Sequence, residues 1–119
     1  MGNRVIHFEI TGSNGPALNK FYGDLFDWSI NTDNPMNYGT IAPQGENAIG
    51  GGIGQTPDGG HGWVTFYVET DDVGAYLKKA ESLGGSILMG PDDVMEGLTI
   101  GLFTDPEGHV VGLTNPQQA

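Results

Sequence analysis

Histidine and glutamate side chains near the N-terminus are the residues best suited to chemistry. His7 and Glu9 are two positions apart in the segment Arg4–Ile10, whose β-branched and aromatic residues predict a strand. Side chains alternate along a strand, so His7 and Glu9 share one face. An imidazole there could anchor a ligand, bind a metal or act as a general base, which works best near its unperturbed pKa of about 6.5.

A metal site at this strand would need three or four oxygen or nitrogen ligands that converge on one point. His61 lies on a glycine-rich connector and is a third donor that could join His7 and Glu9, while Glu107 and His109 lie in or beside a predicted turn. Ligand geometry is demanding and unplanned sites are rare. We therefore expect no metal, and a site of His7, Glu9 and His61 is the alternative.

Other common chemistries find little support in the sequence. The chain has no cysteine, which excludes disulfides, thiolate metal sites and thiol catalysis. The glycine run at 50–54 does not match a dinucleotide-binding loop, because Gln55 stands where glycine is needed and no helix follows. The serines lack a nucleophile-elbow context. Asp71 or Asp72 is explained as a helix cap, and Asp92 and Asp93 as a solvated turn.

Composition restricts the class of partner. The chain has 119 residues, enough for one domain, with 15 acidic and four basic side chains and a net charge of −11. Nucleic-acid binding needs clustered Lys and Arg, so it is not expected, whereas a negative field attracts cations and repels anions. The apolar runs are too short for a membrane span, and no secretory signal is visible, so we expect a cytoplasmic protein.

The pattern of elements predicts a β-α-β-β-β order that occurs twice. His7 and Phe21 in the first half correspond to Trp63 and Leu77 in the second, a shift of 56 residues in both pairs. A unit that cannot bury its own sheet face packs against a neighbour. The first helix is predicted to begin at Pro16 behind Asn14 or Gly15, and the second to end at Gly84. The apolar stripe of the first helix comprises Ala17, Leu18, Phe21, Tyr22, Leu25 and Phe26.

Four stretches, in order and at matching spacing, resemble the vicinal oxygen chelate superfamily, also called the glyoxalase/bleomycin resistance/dioxygenase family. The resemblance extends over almost the whole chain. It rests on Val-Ile-His-Phe-Glu-Ile at 5–10, Lys-Phe-Tyr-Gly-Asp-Leu-Phe-Asp-Trp at 20–28, Phe-Tyr-Val-Glu-Thr-Asp-Asp-Val at 66–73 and Phe-Thr-Asp-Pro-Glu-Gly-His at 103–109.

The resemblance implies an α+β fold in which two βαβββ modules form a curled mixed sheet around a cleft. A single domain would span residues 3–116, with modules at about 4–55 and 63–115. Members of the family commonly bind one divalent metal in the cleft and act on small substrates that chelate it, whereas others sequester drugs without metal. Many are homodimers, so a homodimer is expected here.

The metal positions of the family are mostly empty of donors in this sequence. By the resemblance His7 occupies the first-strand position, 14 residues before Phe21, but the matching residue of the second module is Trp63. The last-strand acid of the family corresponds to Gly112, and the stretch 48–53 of the first module also lacks donors. Of the four metal-ligand positions of the family, only the one occupied by His7 has a donor side chain, which disfavours metal binding.

The function expected from these observations is a glyoxalase/bleomycin resistance-like protein that binds a small molecule in the sheet cleft without metal. The alternatives are a metal-dependent lyase, isomerase or dioxygenase that uses His7 as a ligand, and a metal-free enzyme with His7 as general base. The bare glycines at 50–52 and Gly112 indicate either close approach of a ligand or strand packing. His7 is the expected anchor of the ligand, and the expected aromatic walls are Tyr38, Trp63, Tyr67 and Phe103.

Overall fold

In the part of the chain that the structure describes, eight strands and two helices form the fold, and the order β-α-β-β-β occurs twice, as predicted. The computed structural model describes residues 2–116. The α+β class expected from the sequence is confirmed. The elements are β1 (Val5–Gly12), α1 (Gly15–Phe26), β2 (Ile30–Asn31), β3 (Gly39–Ile41), β4 (Gly50–Gln55), β5 (Val64–Glu69), α2 (Val73–Ser82), β6 (Ser86–Met95), β7 (Leu98–Thr104) and β8 (Val110–Thr114).

The chain divides into two compact units. The N-terminal unit comprises residues 7–64, and its strands pair in the order β2-β3-β4-β1. Strand β1 runs parallel to β4, with His7 opposite Gly50 and Glu9 opposite Gly52, and the other pairs are antiparallel. The glycine-rich strand β4 is therefore the immediate neighbour of the strand that carries His7 and Glu9.

The C-terminal unit comprises residues 2–6 and 65–116 and repeats this arrangement. Its strands pair in the order β5-β8-β7-β6. Strand β5 runs parallel to β8, with Tyr67 opposite Gly112, and the pairs β8–β7 and β7–β6 are antiparallel. The hairpin between β7 and β8 turns at Asp105, whose carbonyl accepts from Gly108 N at 2.9 Å.

Both helices begin at the side-chain caps that the sequence predicts. The Asn14 side chain accepts from Ala17 N at 3.1 Å, and the Asp72 side chain accepts from Ala75 N at 3.0 Å. Gly84 follows α2 with a φ of 104°, a left-handed conformation that glycine adopts without steric cost. Within residues 2–116, neither helix has the length and apolar character that crossing a membrane requires.

The core of the N-terminal unit lies between α1 and one face of its sheet. Ile10, Ile41 and Ile53 are its buried centre. Since side chains alternate along β1, residues His7 and Glu9 lie on the face opposite to Ile10 and α1. The helix therefore covers one face and leaves the other to the polar residues. The partly buried side chains packed on the core are Phe8, Leu18, Tyr22, Trp28 and Ile30.

The predicted apolar stripe of α1 is only partly buried. Phe21, Leu25 and Phe26 belong to the stripe but are 58%, 57% and 51% exposed. The six apolar positions span a wider arc of the helix than the narrow sheet can cover. Leu18 and Tyr22 occupy the covered part of that arc.

The core of the C-terminal unit is built in the same way, with α2 on one face of the sheet. Val73 and Leu77 from α2 pack with Leu113 of β8. Val68, Tyr76 and Phe103 pack against this cluster. A Cβ at Gly101 would contact Leu77 and Val73 at 2.9 Å, which shows that β7 approaches α2 closely at this position.

Strand β6 includes two acids that were expected in a solvated turn. Asp92 pairs with Ile100 and Asp93 with Thr99 in the ladder between β6 and β7. The Thr99 hydroxyl also donates to the Asp93 carboxylate at 2.7 Å. The turn prediction is wrong because pairing with β7 fixes this segment in spite of its polar sequence.

Aromatic rings of the chain itself cover the bare glycines of the strands. A Cβ on Gly52 would lie 2.0 Å from the Tyr38 ring, and one on Gly51 would lie 2.3 Å from the Phe8 ring. A Cβ on Gly112 would lie 2.5 Å from the Tyr67 ring. Of the two interpretations of these glycines, the structure therefore shows strand packing.

The contact between Gly52 and Tyr38 predicts a stability effect. Gly52→Ala is expected to lower the free energy of unfolding by about 1–3 kcal/mol, because the added methyl displaces the ring. Gly45→Ala is the control, since nothing lies within 4 Å of its added Cβ, and its effect is expected within about 0.5 kcal/mol. Urea unfolding of both variants, with and without Tyr38→Ala, is the measurement; equal costs of Gly52→Ala in both backgrounds would disprove the coupling.

Candidate functional site

The carboxylate of Glu9 is the centre of a hydrogen-bond network on the sheet face opposite α1. Glu9 is only 8% exposed. Its Oε1 accepts from the Tyr38 hydroxyl at 3.0 Å, and its Oε2 accepts from the Trp63 indole Nε1 at 2.9 Å. A buried carboxylate is costly unless donors satisfy it, and here each oxygen has one.

The network extends from Tyr38 to His7. The His7 Nε2 lies 3.0 Å from the Tyr38 hydroxyl oxygen. A carboxylate only accepts, so the single phenolic proton of Tyr38 goes to Glu9, and the Tyr38 oxygen must accept from His7. His7 is thereby fixed as the tautomer with its proton on Nε2, and the lone pair lies on Nδ1.

Burial keeps the imidazole of His7 neutral. Desolvation lowers the pKa of His7 below its usual value of 6.5, and the nearby negative charge of Glu9 opposes this by raising it. Burial is the larger effect, so the net direction is downward. A neutral His7 is consistent with the proton count of the network.

Tyr38 is held in place by an asparagine four residues earlier. The Asn34 side chain donates from Nδ2 to the Tyr38 carbonyl at 2.7 Å and accepts at Oδ1 from Tyr38 N at 2.9 Å. These two bonds fix the backbone where the loop enters β3. The Tyr38 ring then lies against β4, close to Gly52 and Gly54.

Trp63 is held by the end of β1. Thr11 N donates to the Trp63 carbonyl at 2.8 Å, and Trp63 N donates to the Thr11 hydroxyl at 3.0 Å. The chain passes so close here that a Cβ on Gly62 would lie 1.9 Å from the Thr11 carbonyl oxygen. Glycine at position 62 therefore permits the approach that brings the indole to Glu9.

The structure brings together three of the residues predicted to bind a ligand. His7, Tyr38 and Trp63 all belong to the network around Glu9. The other two, Tyr67 and Phe103, belong to the C-terminal unit. Phe103 packs on the side of α2, whereas Tyr67 lies over Gly112 on the opposite face of that sheet.

The positioning residues were not identified from the sequence. The sequence pattern indicates no role for Thr11 or Asn34, and for Glu9 it indicates only that of a metal ligand. The hydrogen bonds that give them their roles are mostly long-range. Thr11 and Trp63 are 52 residues apart, and Glu9 is 29 residues from Tyr38 and 54 from Trp63. Asn34 and Tyr38 are four residues apart. Only the pair of hydrogen bonds between the Asn34 side chain and the Tyr38 backbone is local. The cluster of Asn and Pro at 31–37 is typical of a turn and could have indicated these two bonds.

The divalent metal implied by the resemblance does not fit these residues. Both oxygens of Glu9 are engaged by uncharged donors, and His61 is exposed. Over residues 2–116, no group of three or more His, Asp or Glu side chains has an arrangement that could hold a metal ion. The alternative set of His7, Glu9 and His61 is therefore not assembled as a chelating cluster.

Comparison with known proteins gives one family and a common fold. Residues 4–113 match the model of the Glyoxalase/Bleomycin resistance protein/Dioxygenase superfamily. The chain is 32% identical over 105 residues to "Putative glyoxylase CFP32" of Mycobacterium bovis and to the protein of the same name in Mycobacterium tuberculosis. These alignments cover 82% of this chain but only 40% of each relative, so the chain spans less than half of their length.

Solved structures with low sequence identity share the fold. A variant of methylmalonyl-CoA epimerase from Streptomyces coelicolor, in complex with 2-nitronate-propionyl-CoA, superposes with a TM-score of 0.67 at 16% identity, covering 98% of this chain and 96% of that one. The epimerase of Mycobacterium tuberculosis gives 0.66 at 14% identity, covering 96% and 88%. A superfamily member from Vibrio splendidus gives 0.62 at 10%, covering 97% and 100%.

The opposing effects on His7 predict how its pKa responds to substitution. Glu9→Gln removes the charge that raises the pKa of His7, so that pKa is expected to fall further below 6.5. NMR titration of the ring Cε1–H signal measures it, with Glu46→Gln as the control because Glu46 is an exposed acid of the same unit. An unchanged or higher pKa in Glu9→Gln would rule out this description of the site.

The lowered pKa of His7 also makes stability depend on pH. In the unfolded chain the imidazole titrates near 6.5, so between the folded-state pKa and 6.5 the unfolded state binds more protons. The free energy of unfolding therefore rises with pH through this window and gains nothing further from His7 above it. His7→Gln should flatten the rise in urea unfolding measured at a series of pH values; a slope equal to that of the parent protein is the contrary result.

Proposed function

Because the chain belongs to the glyoxalase/bleomycin resistance protein/dioxygenase superfamily, we propose that it binds a small molecule on the sheet face that carries His7, Tyr38 and Trp63. The observation that carries the proposal is the network in which Tyr38 links His7 to the buried Glu9. Such a convergent set of polar groups beside aromatic rings is the composition of a small-molecule site.

Each side chain has a distinct role in this proposal. The half-buried imidazole of His7 is the polar anchor of the ligand. Tyr38 and Trp63 provide aromatic surface, and their polar atoms are bound to Glu9, which fixes both rings before a ligand arrives. Preorganisation of this kind reduces the entropy lost on binding.

The charge of the protein favours a neutral or cationic ligand. The net charge of −11 repels anions, and the buried carboxylate of Glu9 adds a local negative charge. Methylmalonyl-CoA epimerase structures of the same fold hold acyl-CoA molecules, whose phosphate groups would meet this negative field. We therefore propose a ligand class different from theirs.

The proposed binding mode uses no protein-bound metal. Glu9 and His7 make their hydrogen bonds with Tyr38, and the corresponding strand positions Gly112 and Trp63 provide no ligand for a divalent ion. A lyase, isomerase or dioxygenase mechanism that depends on a metal is less well supported by this donor set. The homodimer and the cytoplasmic location expected from the sequence remain parts of the proposal.

Thermal unfolding with defined probes tests the proposal. Metal-free bleomycin is the cationic probe, methylmalonyl-CoA the anionic probe, and Ni²⁺ and Zn²⁺ salts are tested alone. We expect bleomycin to raise the melting temperature, since a ligand of the native state stabilises it by linkage. The affinity should fall about tenfold in both variants, because His7→Gln replaces the imidazole that anchors the ligand and Tyr38→Phe removes the hydroxyl that orients it.

His61→Gln is the matched control for His7→Gln, since it makes the same exchange at an exposed site of the same unit. It should bind the bleomycin probe as the parent protein does. Stoichiometric binding of either metal, lost in His61→Gln, would replace the proposal with the metal-dependent alternative. Tighter binding of methylmalonyl-CoA than of bleomycin, or no shift with either, would also count against it.

A further inference from the structure

A cavity lies on the α1 side of the sheet of the N-terminal unit. It is a groove of about 950 Å³ beside α1, within the size range of small-molecule sites. Its walls come from α1, from the loop between β2 and β3, and from residues 55–57 at and just after the end of β4. The groove is lined by Trp28 and Ile53, which belong to the core on the α1 side. His7, Glu9 and Tyr38 do not line it.

The groove presents neutral hydrogen-bonding groups rather than charges. Asn19, Asn37 and Gln55 bring three carboxamides to it. Its charged lining residues among those described are Lys20 and Asp24, which pair with each other at 2.9 Å. Gln55 Oε1 already accepts from Gly15 N at 3.2 Å, which turns its amide donors away from that contact.

One of these carboxamides lacks a partner for its oxygen. The Asn19 Oδ1 atom is buried and has no hydrogen-bond partner among the described residues. It lies against the bare backbone of Gly39, where an added Cβ would be 2.5 Å away. A buried acceptor without a donor destabilises the folded protein, because its hydrogen bonds to water are lost without replacement. Rotation of the Asn19 side chain toward a hydroxyl donor in the groove would remove that cost.

We propose that this groove binds a neutral polyhydroxylated molecule, such as a monosaccharide or a cyclic polyol. Its hydroxyls would donate to the Asn19 oxygen and bond to the amides of Asn37 and Gln55. Its C–H face would pack on Trp28, whose ring is held by Phe26 at a centroid distance of 4.9 Å.

The same features disfavour other classes of ligand. An anion would find no unpaired cation in the described lining, because Lys20 is bound to Asp24. A nucleotide would carry phosphate into a chain of net charge −11. A purely apolar ligand would leave the carboxamides, Asn19 in particular, without hydrogen bonds.

Chemical-shift mapping with defined sugars tests the proposal. Glucose, galactose, N-acetylglucosamine and myo-inositol are titrated separately into the ¹⁵N-labelled protein. At least one is expected to shift the amides of residues 15–24, 32–37 and 55–57, with a dissociation constant of about 1 mM or lower. Shifts confined to His7, Tyr38 and Trp63 would overturn this proposal without touching the function proposed above, and so would the absence of any shift.

Two variants separate binding from folding. Asn19→Leu removes the unpartnered amide, so it should bind the sugar at least about tenfold more weakly while the protein remains as stable as its parent. Asn47→Leu, the same exchange at an exposed position outside the groove, is the control. Should Asn19→Leu fail to fold, Asn37→Gly serves instead, because Asn37 has a φ of 53° that glycine adopts easily. Unchanged sugar affinity in the folded variant would overturn the proposal.

Discussion

The arrangement of the site in the N-terminal unit depends on the buried carboxylate of Glu9 and on the donors that bind it. A carboxylate 8% exposed requires donors, and both come from segments far along the chain: Tyr38, 29 residues away, and Trp63, 54 residues away. Satisfying one charge therefore fixes two loops against β1. The tautomer of His7 follows from the same requirement, because the only proton of the Tyr38 hydroxyl goes to Glu9.

The glycines of this unit follow from the same geometry. Tyr38 reaches Glu9 by lying across β4, and only a strand without side chains on that face leaves room for the ring. Gly52 is therefore a steric condition for the hydrogen bond. Gly62 has a parallel role for Trp63, since it lets the chain pass against the Thr11 carbonyl. The space above these glycines is therefore filled by aromatic rings of the chain itself.

The sheet of the N-terminal unit separates two kinds of chemistry. One face carries the hydrogen-bond network around the Glu9 carboxylate, which includes the imidazole of His7. The groove beside α1 is lined by carboxamides, by the indole of Trp28, and by Lys20 and Asp24, which form an ion pair with each other. The loop before β3 contributes to both, because Asn37 lines the groove and the next residue, Tyr38, enters the network.

The sequence by itself determined the α+β class, the repeated order of elements, the caps Asn14 and Asp72, and the shared face of His7 and Glu9. These depend on neighbours within a few residues or on the alternation of a strand. Tertiary structure alone decided that Phe21 remains exposed, that Tyr38 fills the space over β4, and that Glu9 receives two donors. Burial and hydrogen-bond partners are set by segments distant in sequence, and periodicity carries no information about which of them meet.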